Sequence, residues 1–283
     1  MKKNAVVFTV SSDLIFAVAN LMLDIKKISP QLADEVVVFH NGIKEKDLAL
    51  LNSILPTKAM EYRIPVADLS KFNQVTLGYF TEMAYAKFEC LKLLNDYKNV
   101  TYLDPDMVVV KDISCLLEKC ESGIKMMPSG QMVSEQLHVD VDEYDMKREG
   151  ICGCIFVFQD HVNYIELYNF CILALNKYAS KLKLAEQAIF DFMIQEFNIK
   201  ICPIENHLYS PHPSNKQYMQ NARILHAYGQ PKFWNGLENK QWNENYKIWI
   251  EMGGSKYKSA TWLKKINKKM LSKLRIFKRL FAR

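Results

Sequence analysis

The run Val100-Thr101-Tyr102-Leu103-Asp104-Pro105-Asp106-Met107-Val108-Val109-Val110 constrains this chain more than any other stretch. The apolar and β-branched residues on both sides read as buried strand. Two aspartates one residue apart interrupt it. A carboxylate in apolar surroundings is costly unless it is paired or bound to a metal. Pro105 has no N–H for a ladder, so the pair is expected at a strand end or a bulge. Held there, Asp104 and Asp106 offer hard oxygen ligands to Mn²⁺ or Mg²⁺. Such an ion can hold a diphosphate and neutralise a phosphate leaving group. Asp-Pro-Asp is also ordinary turn chemistry, and the run by itself leaves both readings open.

Around this run, strands alternate with helices. Residues 5–10 read as a strand, 13–28 as a helix capped by Ser12 or Asp13, 35–39 as a strand and 44–55 as a helix. A strand over 58–64, a loop and a helix over about 79–94 follow. This alternation predicts a largely parallel sheet, whose ligands bind outside the carboxyl ends of the strands. The polar, acidic segment 130–150, with His138, Tyr144 and Arg148, reads as a long surface excursion. Beyond it come a strand over 151–158, helices over 162–179 and 185–196, a short strand over 199–203 and a loop over 205–221. The 283 residues suffice for one large α/β domain or two small ones.

A second motif lies downstream in Arg223-Ile224-Leu225-His226-Ala227-Tyr228-Gly229-Gln230-Pro231-Lys232-Phe233-Trp234. An apolar strand delivers His226 to its end. Gly229 lets backbone N–H groups approach an anion, Lys232 brings a charge suited to phosphate, and Trp234 can wall a pocket. A core histidine followed by a turn is the competing reading of this segment.

The seven cysteines are odd in number and contain no Cys-x-x-Cys. Most lie in apolar segments, where Cys acts as a small hydrophobe. A reduced protein without a disulfide framework is expected. Zinc at Cys152 and Cys154 lacks further ligands at useful spacing. The Met1-Lys2-Lys3 start resembles a signal peptide, but Ser11, Ser12 and Asp13 break the apolar run, which favours a first buried strand. No stretch approaches the ~18–20 apolar residues that span a bilayer.

Charge is distributed unevenly. Of 37 Lys and Arg, 11 lie between Lys256 and Arg283, where there is no Asp or Glu, leaving 26 against 31 acidic residues elsewhere. In that tail Trp262, Ile266, Met270, Leu274, Phe277 and Phe281 follow three- and four-residue steps, the pattern of a basic amphipathic helix on an anionic membrane. Packing of the same stripe on the domain is the alternative. Nucleic acid is not expected as a partner, because the aromatic residues share the apolar stripe and not the basic face. The division expected is a catalytic domain over 1–250 and a membrane-associating tail over 251–283.

Taken together, the Tyr-Leu-Asp-x-Asp-x-Val of Tyr102 to Val108 and the His-x-x-Gly-x-x-Lys-x-Trp of His226, Gly229, Lys232 and Trp234 resemble glycosyltransferase family 8. The resemblance runs from about residue 5 to 249. It implies a GT-A fold: an α/β, Rossmann-like nucleotide-binding domain with a mixed, mostly parallel sheet. It further implies a retaining, metal-dependent hexosyltransferase using a UDP-hexose and Mn²⁺ or Mg²⁺. Asp104, Asp106 and His226 would hold the metal, with Pro105 between the carboxylates, and Gly229 and Lys232 would hold the diphosphate. Thr9, Val10, Ser11 and Asp13 match the uridine-binding turn. Lys87 stands where the family has a basic residue facing the donor; a solvated helix Lys is its other reading. Two stretches depart from the family. Cys152-Gly153-Cys154 replaces an Asn-Ala/Gly-Gly whose Asn meets the sugar, and Glu186-Gln187 replaces Asp-Gln near the reacting carbon. The expected acceptor is a saccharide, lipid-linked in the lipopolysaccharide-building members that carry such tails. A peripheral position on the inner, cytoplasmic face of the membrane follows. A nucleotide-sugar binder with lapsed catalysis and a membrane scaffold acting through its tail are the rival classes.

Overall fold

The computed structural model describes residues 2–66 and 68–258. In chain order the strands and helices are β1 (Lys3–Val10), α1 (Ile15–Ile28), β2 (Glu35–His40), α2 (Glu45–Ile54), β3 (Thr57–Glu61), α3 (Gln74–Phe80), α4 (Glu89–Lys92), β4 (Tyr97–Leu103), β5 (Met107–Val109), β6 (Ile124–Met132), β7 (Glu149–Gln159), α5 (Tyr164–Tyr178), α6 (Gln187–Glu196), β8 (Cys202–Pro203), α7 (Asn206–Tyr209), β9 (Ile224–His226) and α8 (Lys240–Glu251). A seven-stranded sheet runs β3-β2-β1-β4-β7-β6-β8. The first four strands in that order are mutually parallel, and β7 is antiparallel to both β4 and β6. The sheet is therefore mixed and mostly parallel, as its βα alternation requires.

Successive residues of β1 feed opposite faces of the sheet. Ala5 and Val7 enter one apolar cluster, with Phe88, Tyr102, Phe156 and Phe190; Val6 and Phe8 enter the other, with α1. A separate two-stranded ribbon pairs β5 with β9, placing Met107 opposite His226. That pairing joins the two sequence motifs in space.

The structure differs from the sequence reading in several places. The expected helix over 79–94 is broken into a 3-10 turn over Glu82–Phe88, α4 and a second 3-10 turn over Leu93–Asn95. α1 is preceded by a 3-10 turn over Ser12–Leu14, and its start has no side-chain cap bond from Ser12 or Asp13. Segment 130–150 is not simply a surface excursion. It begins as the end of β6 and then buries Val133, Gln136, Leu137 and Val141, with Gln136 Nε2 donating to Ile151 O at 3.1 Å. The loop over 205–221 contains α7 and buries Tyr209 and Ser210.

The cysteine reading fails at one pair, since Cys120 and Cys202 form a disulfide. β8 pairs with β6 at Lys125 opposite Cys202, which brings residue 202 back beside the approach to β6. A contact across 82 residues leaves no spacing signal in the sequence. The stripe over 262–281 lies outside the described residues. Among the described residues no helix is long and apolar enough to cross a membrane.

Two buried carboxylates tie helices to the sheets. Asp24 on α1 accepts from Val109 N at 3.1 Å and from Gln241 and Asn245 of α8. Asp191 on α6 accepts from Ile151 N at 3.1 and 3.2 Å. Burial outweighs these donors and pushes Asp24 up to about 6 and Asp191 up to about 7. A carboxyl whose folded pKa exceeds its unfolded value binds protons more tightly in the fold. The contribution of these two groups to stability is therefore expected to be greatest below about pH 4, to fall as pH rises from there through about 6 for Asp24 and about 7 for Asp191, and to level off above. Denaturant melts between pH 5 and 8 check this; Asp191→Asn should flatten the upper part of the decline.

A candidate metal and donor site

β4 ends at Leu103 and β5 begins at Met107, so Asp104 and Asp106 occupy the step between the two sheets. Backbone bonds fix both residues. Asp104 N donates to Cys154 O at 2.9 Å, and Asp106 O accepts from Ala227 N at 2.9 Å. Pro105 forms the bend between them, where its missing N–H breaks no rung.

β9 delivers His226 to this step. Its Nε2 lies 3.2 Å from Asp106 Oδ1 and 4.0 Å from Asp104 Oδ2. Its Nδ1 is engaged by Ser210 Oγ at 2.8 Å. A neutral ring donating Nδ1–H to Ser210 leaves the Nε2 lone pair facing the two carboxylates, the arrangement a metal-binding histidine needs. The three candidate donor atoms lie within 4.8 Å of one another. One imidazole nitrogen and two carboxylate oxygens suit Mn²⁺ or Mg²⁺ in charge and hardness. Among the described residues, Cys152 and Cys154 stand outside this grouping.

The electrostatics follow from burial and pairing. Burial pushes Asp106 up, but His226 and Lys232 outweigh it and hold the carboxyl well below the usual range. Burial pushes His226 down, and the Asp106 and Asp104 carboxylates, with Cys152, more than reverse this. Lys232 Nζ pairs with Asp106 Oδ2 and donates to Ala227 O at 2.9 Å. The turn between His226 and Lys232 passes through Gly229 at φ +73°, a left-handed conformation that glycine adopts without strain. Trp234 packs edge-on against Phe16 at 5.6 Å, which closes the turn onto the start of α1.

A second network adjoins the first. Lys87, in the 3-10 turn before α4, is buried, which removes its reading as a solvated helix residue. Its Nζ donates to Glu186 Oε1 at 2.7 Å and to Gly153 O at 2.9 Å, and lies 3.3 Å from Asp104 Oδ1. Burial works against its charge, but Asp104 and Glu186 outweigh that and raise its pKa. Burial likewise pushes the Glu186 carboxyl up, against the pull of Lys87. Tyr102 OH donates to Asp104 Oδ1 at 2.7 Å and lies 3.2 Å from Thr9 Oγ1. Gln187 Oε1 accepts from Gly153 N at 3.0 Å. A Cβ at position 153 would sit 2.4 Å from Glu186 Oε1, so only glycine allows this approach. Ala185 adopts φ +48° immediately before Glu186; such strain is held where surrounding contacts dictate the geometry.

The structure thus gathers Asp104, Asp106, His226, Lys232, Lys87, Glu186, Gln187, Gly153 and, through Tyr102, Thr9. Val10 is buried in the core and can offer a ligand only its backbone. Ser11 hydrogen-bonds Asp13 at the carboxyl end of β1, apart from the network. Cys152 is partly buried in β7, beside the charges of His226 and Asp104. Two contributors escaped the sequence reading. Tyr102 is two residues before Asp104, hence on the same face as a strand-end neighbour, and period-two alternation points to it. Ser210 carries no local signal; only the fold brings it to His226.

The sequence profile of glycosyl transferase family 8 matches residues 5–238. The chain belongs to glycosyl transferase family 8. No curated protein sequence matches it. Solved structures agree in fold at low identity. The bifunctional glycosyltransferase WbbM in its apo form superposes with TM-score 0.67 and 15% identity over 89% of this chain and 51% of WbbM. This chain therefore spans about half of that protein. The galactosyltransferase LgtC, in complex with donor and acceptor sugar analogues, gives TM-score 0.63 and 12% identity over 92% of this chain and 99% of LgtC. The glycosyltransferase GlyE of Streptococcus pneumoniae TIGR4, also in its apo form, gives 0.59 and 14% over 92% and 66%. The mixed α/β sheet is GT-A-like, as in these neighbours.

Proposed function

We propose that this family 8 glycosyltransferase moves a hexose, galactose or glucose, from a UDP-sugar to a saccharide acceptor with retention of configuration. We assign Mn²⁺ or Mg²⁺ to Asp104, Asp106 and His226. The observation that carries the reading is the meeting of two carboxylates with an imidazole whose Nε2 faces them and whose Nδ1 is held by Ser210. Bound there, the cation would supply Lewis-acid neutralisation of the diphosphate leaving group.

The chain's own residues do the rest. The carboxyl end of β1, with Thr9, Val10, Ser11 and Asp13, receives the uridine. Lys232 offers its ammonium, and the Gly229 turn its backbone, to the phosphate charge that develops as the glycosidic bond breaks. Lys87 holds Glu186 and Asp104 at fixed positions. Gln187 is a neutral amide and a poor nucleophile, and its Oε1 is engaged by Gly153 N. This favours a same-face, oxocarbenium-like route guided by the leaving phosphate, with Glu186 and Gln187 positioning the sugar. Cys152 replaces an amide donor with a weak S–H donor at the sugar side. The intact cluster supports an active enzyme over a lapsed binder.

A donor screen by UDP release, across UDP-Gal, UDP-Glc, UDP-GlcNAc and UDP-GalNAc with Mn²⁺, tests this. Turnover is expected with a hexose donor and weaker or absent with the N-acetylated sugars. NMR of the product should show the donor's anomeric configuration. No release with any donor, or an inverted product, contradicts the reading.

We further infer that the enzyme works on a lipopolysaccharide or other surface-glycan acceptor at the inner face of the cytoplasmic membrane. The basic, apolar-striped sequence over 256–283 supports this. Each Lys or Arg near an anionic surface adds about 1 kcal/mol. The full chain should co-sediment with anionic vesicles, less so as salt rises. A chain ending at residue 255 should stay in the supernatant. Equal sedimentation with neutral vesicles removes the membrane role.

A further inference from the structure

Cys152 and Cys154 have no part in the chemistry above, yet they sit against it. Both lie on β7, two residues apart, and so project from one side of the strand. In a regular strand such residues are about 6.7 Å apart, close to the ~6.8 Å upper limit of Cα separation in a disulfide. β7 is not regular here. Its register against β6 jumps from Phe156 opposite Met126 to Cys152 opposite Met127, leaving Gly153, Cys154 and Ile155 without partners on that side. The bulge frees the backbone to buckle, and Gly153 between the cysteines adds conformational freedom. Cys152 is partly exposed and Cys154 is buried.

The pair is wired to the cation cluster through Cys154. Its carbonyl accepts from Asp104 N at 2.9 Å, and its Sγ lies 4.0 Å from Ser210 Oγ, which holds His226 Nδ1. Moving Cys154 therefore moves the supports of two of the three expected ligands. The remaining cysteines are differently placed. Cys120 and Cys202 are bonded to each other, Cys90 and Cys171 are buried, and Cys115 contacts Tyr209 OH at 3.0 Å.

We propose that Cys152 and Cys154 are a reversible redox site, closed by a small-molecule disulfide into an intrachain bond that loosens the adjoining cation cluster. The consequence for the cluster rests on the proposed function, whereas the thiol chemistry does not. Cys152, the more exposed of the two residues, attacks one sulfur of the disulfide. The S–S bond breaks and the first small thiol leaves, taking up the proton that Cys152 lost. Cys154 then attacks the Cys152 sulfur of the mixed disulfide. The second small thiol leaves with the proton from Cys154. Two electrons pass from the pair to the oxidant, and each small disulfide yields two thiols.

The full chain is equilibrated in glutathione buffers of increasing disulfide fraction, acid-quenched, alkylated and mapped by mass spectrometry. The peptide carrying residues 152 and 154 should lose two hydrogens, resist alkylation at both positions, and recover both thiols on reduction. Cys154→Ser should instead trap a glutathione adduct on Cys152. In parallel, free Mn²⁺ is followed by electron paramagnetic resonance. Oxidised wild type should bind Mn²⁺ roughly tenfold more weakly or worse, as expected when outer supports of ligands move, and reduction should restore binding. Full alkylation of both thiols in oxidised buffer, or a stable adduct on Cys152 in wild type, overturns the proposal. A 152–154 bond with unchanged Mn²⁺ affinity overturns its coupling to the cluster. A bond that forms and weakens Mn²⁺ binding in a protein that turns over no UDP-sugar supports the redox site while refuting the proposed donor.

Discussion

Asp106→Asn is expected to lower transfer roughly a thousandfold or more, equivalent to about 4 kcal/mol of lost transition-state stabilisation. The substitution preserves shape but removes the carboxylate that both His226 Nε2 and Lys232 Nζ approach. A neutral amide at this position also leaves Lys232 paired to nothing charged at its closest contact. Asp104→Asn should act in the same direction, since Lys87 and Tyr102 converge on that carboxylate, which is also a proposed cation ligand. Chelation should silence the wild type, and added Mn²⁺ should restore it. Activity assays with circular dichroism check that the fold survives. Transfer that persists in excess EDTA contradicts the metal assignment.

Lys87→Met is expected to cost stability as well as activity. Its ammonium is buried between Glu186 and Asp104. Removing one partner of a buried pair costs about 3–5 kcal/mol, because the charge left behind has no compensation. For a chain of this size that lowers Tm by roughly 10 °C. The double variant Lys87→Met/Glu186→Gln should recover part of the loss, because the stranded carboxylate is then gone. Thermal melts of the single and double variants measure this. A Tm for Lys87→Met within about 1 °C of wild type would mean the pair is open to water and carries little energy.

The sheet was legible because its strands are short apolar runs separated by helical patterns, and β1, β2, β4 and β7 lie where those runs stand. Asp104 with Asp106, and His226, stood out in the sequence because each ends a strand with chemistry that the core cannot tolerate unpaired, and the structure brings them together. What joins them was legible only through the family resemblance, not from the residues themselves. Pairing of Met107 with His226 in the β5–β9 ribbon is a contact across more than a hundred residues, and neither strand's sequence names the other. Long-range effects of the same kind hid the Cys120–Cys202 bond, the seat of Ser210 behind His226, and α8 with its Gln241 and Asn245 reaching Asp24. Lys87 shows the reverse case. In a helical pattern a lysine reads as solvated; the resemblance points Lys87 at the donor, and the burial of the 3-10 turn against β1 and β2 shows that its ammonium is held inside the fold. β6 was missed because Pro128, Ser129, Gly130 and Gln131 dilute its pattern, while its pairing with β7 supplies the order that the residues lack.

The account stands or falls on where a divalent cation binds. Crystals of the full chain grown with Mn²⁺ and UDP, measured at an X-ray energy where manganese scatters anomalously, locate it directly. The account predicts one strong anomalous peak in contact with Asp104, Asp106 and His226 Nε2, with the diphosphate on its open side near Lys232. A peak held by other residues, or none at saturating Mn²⁺ with UDP bound, would contradict it.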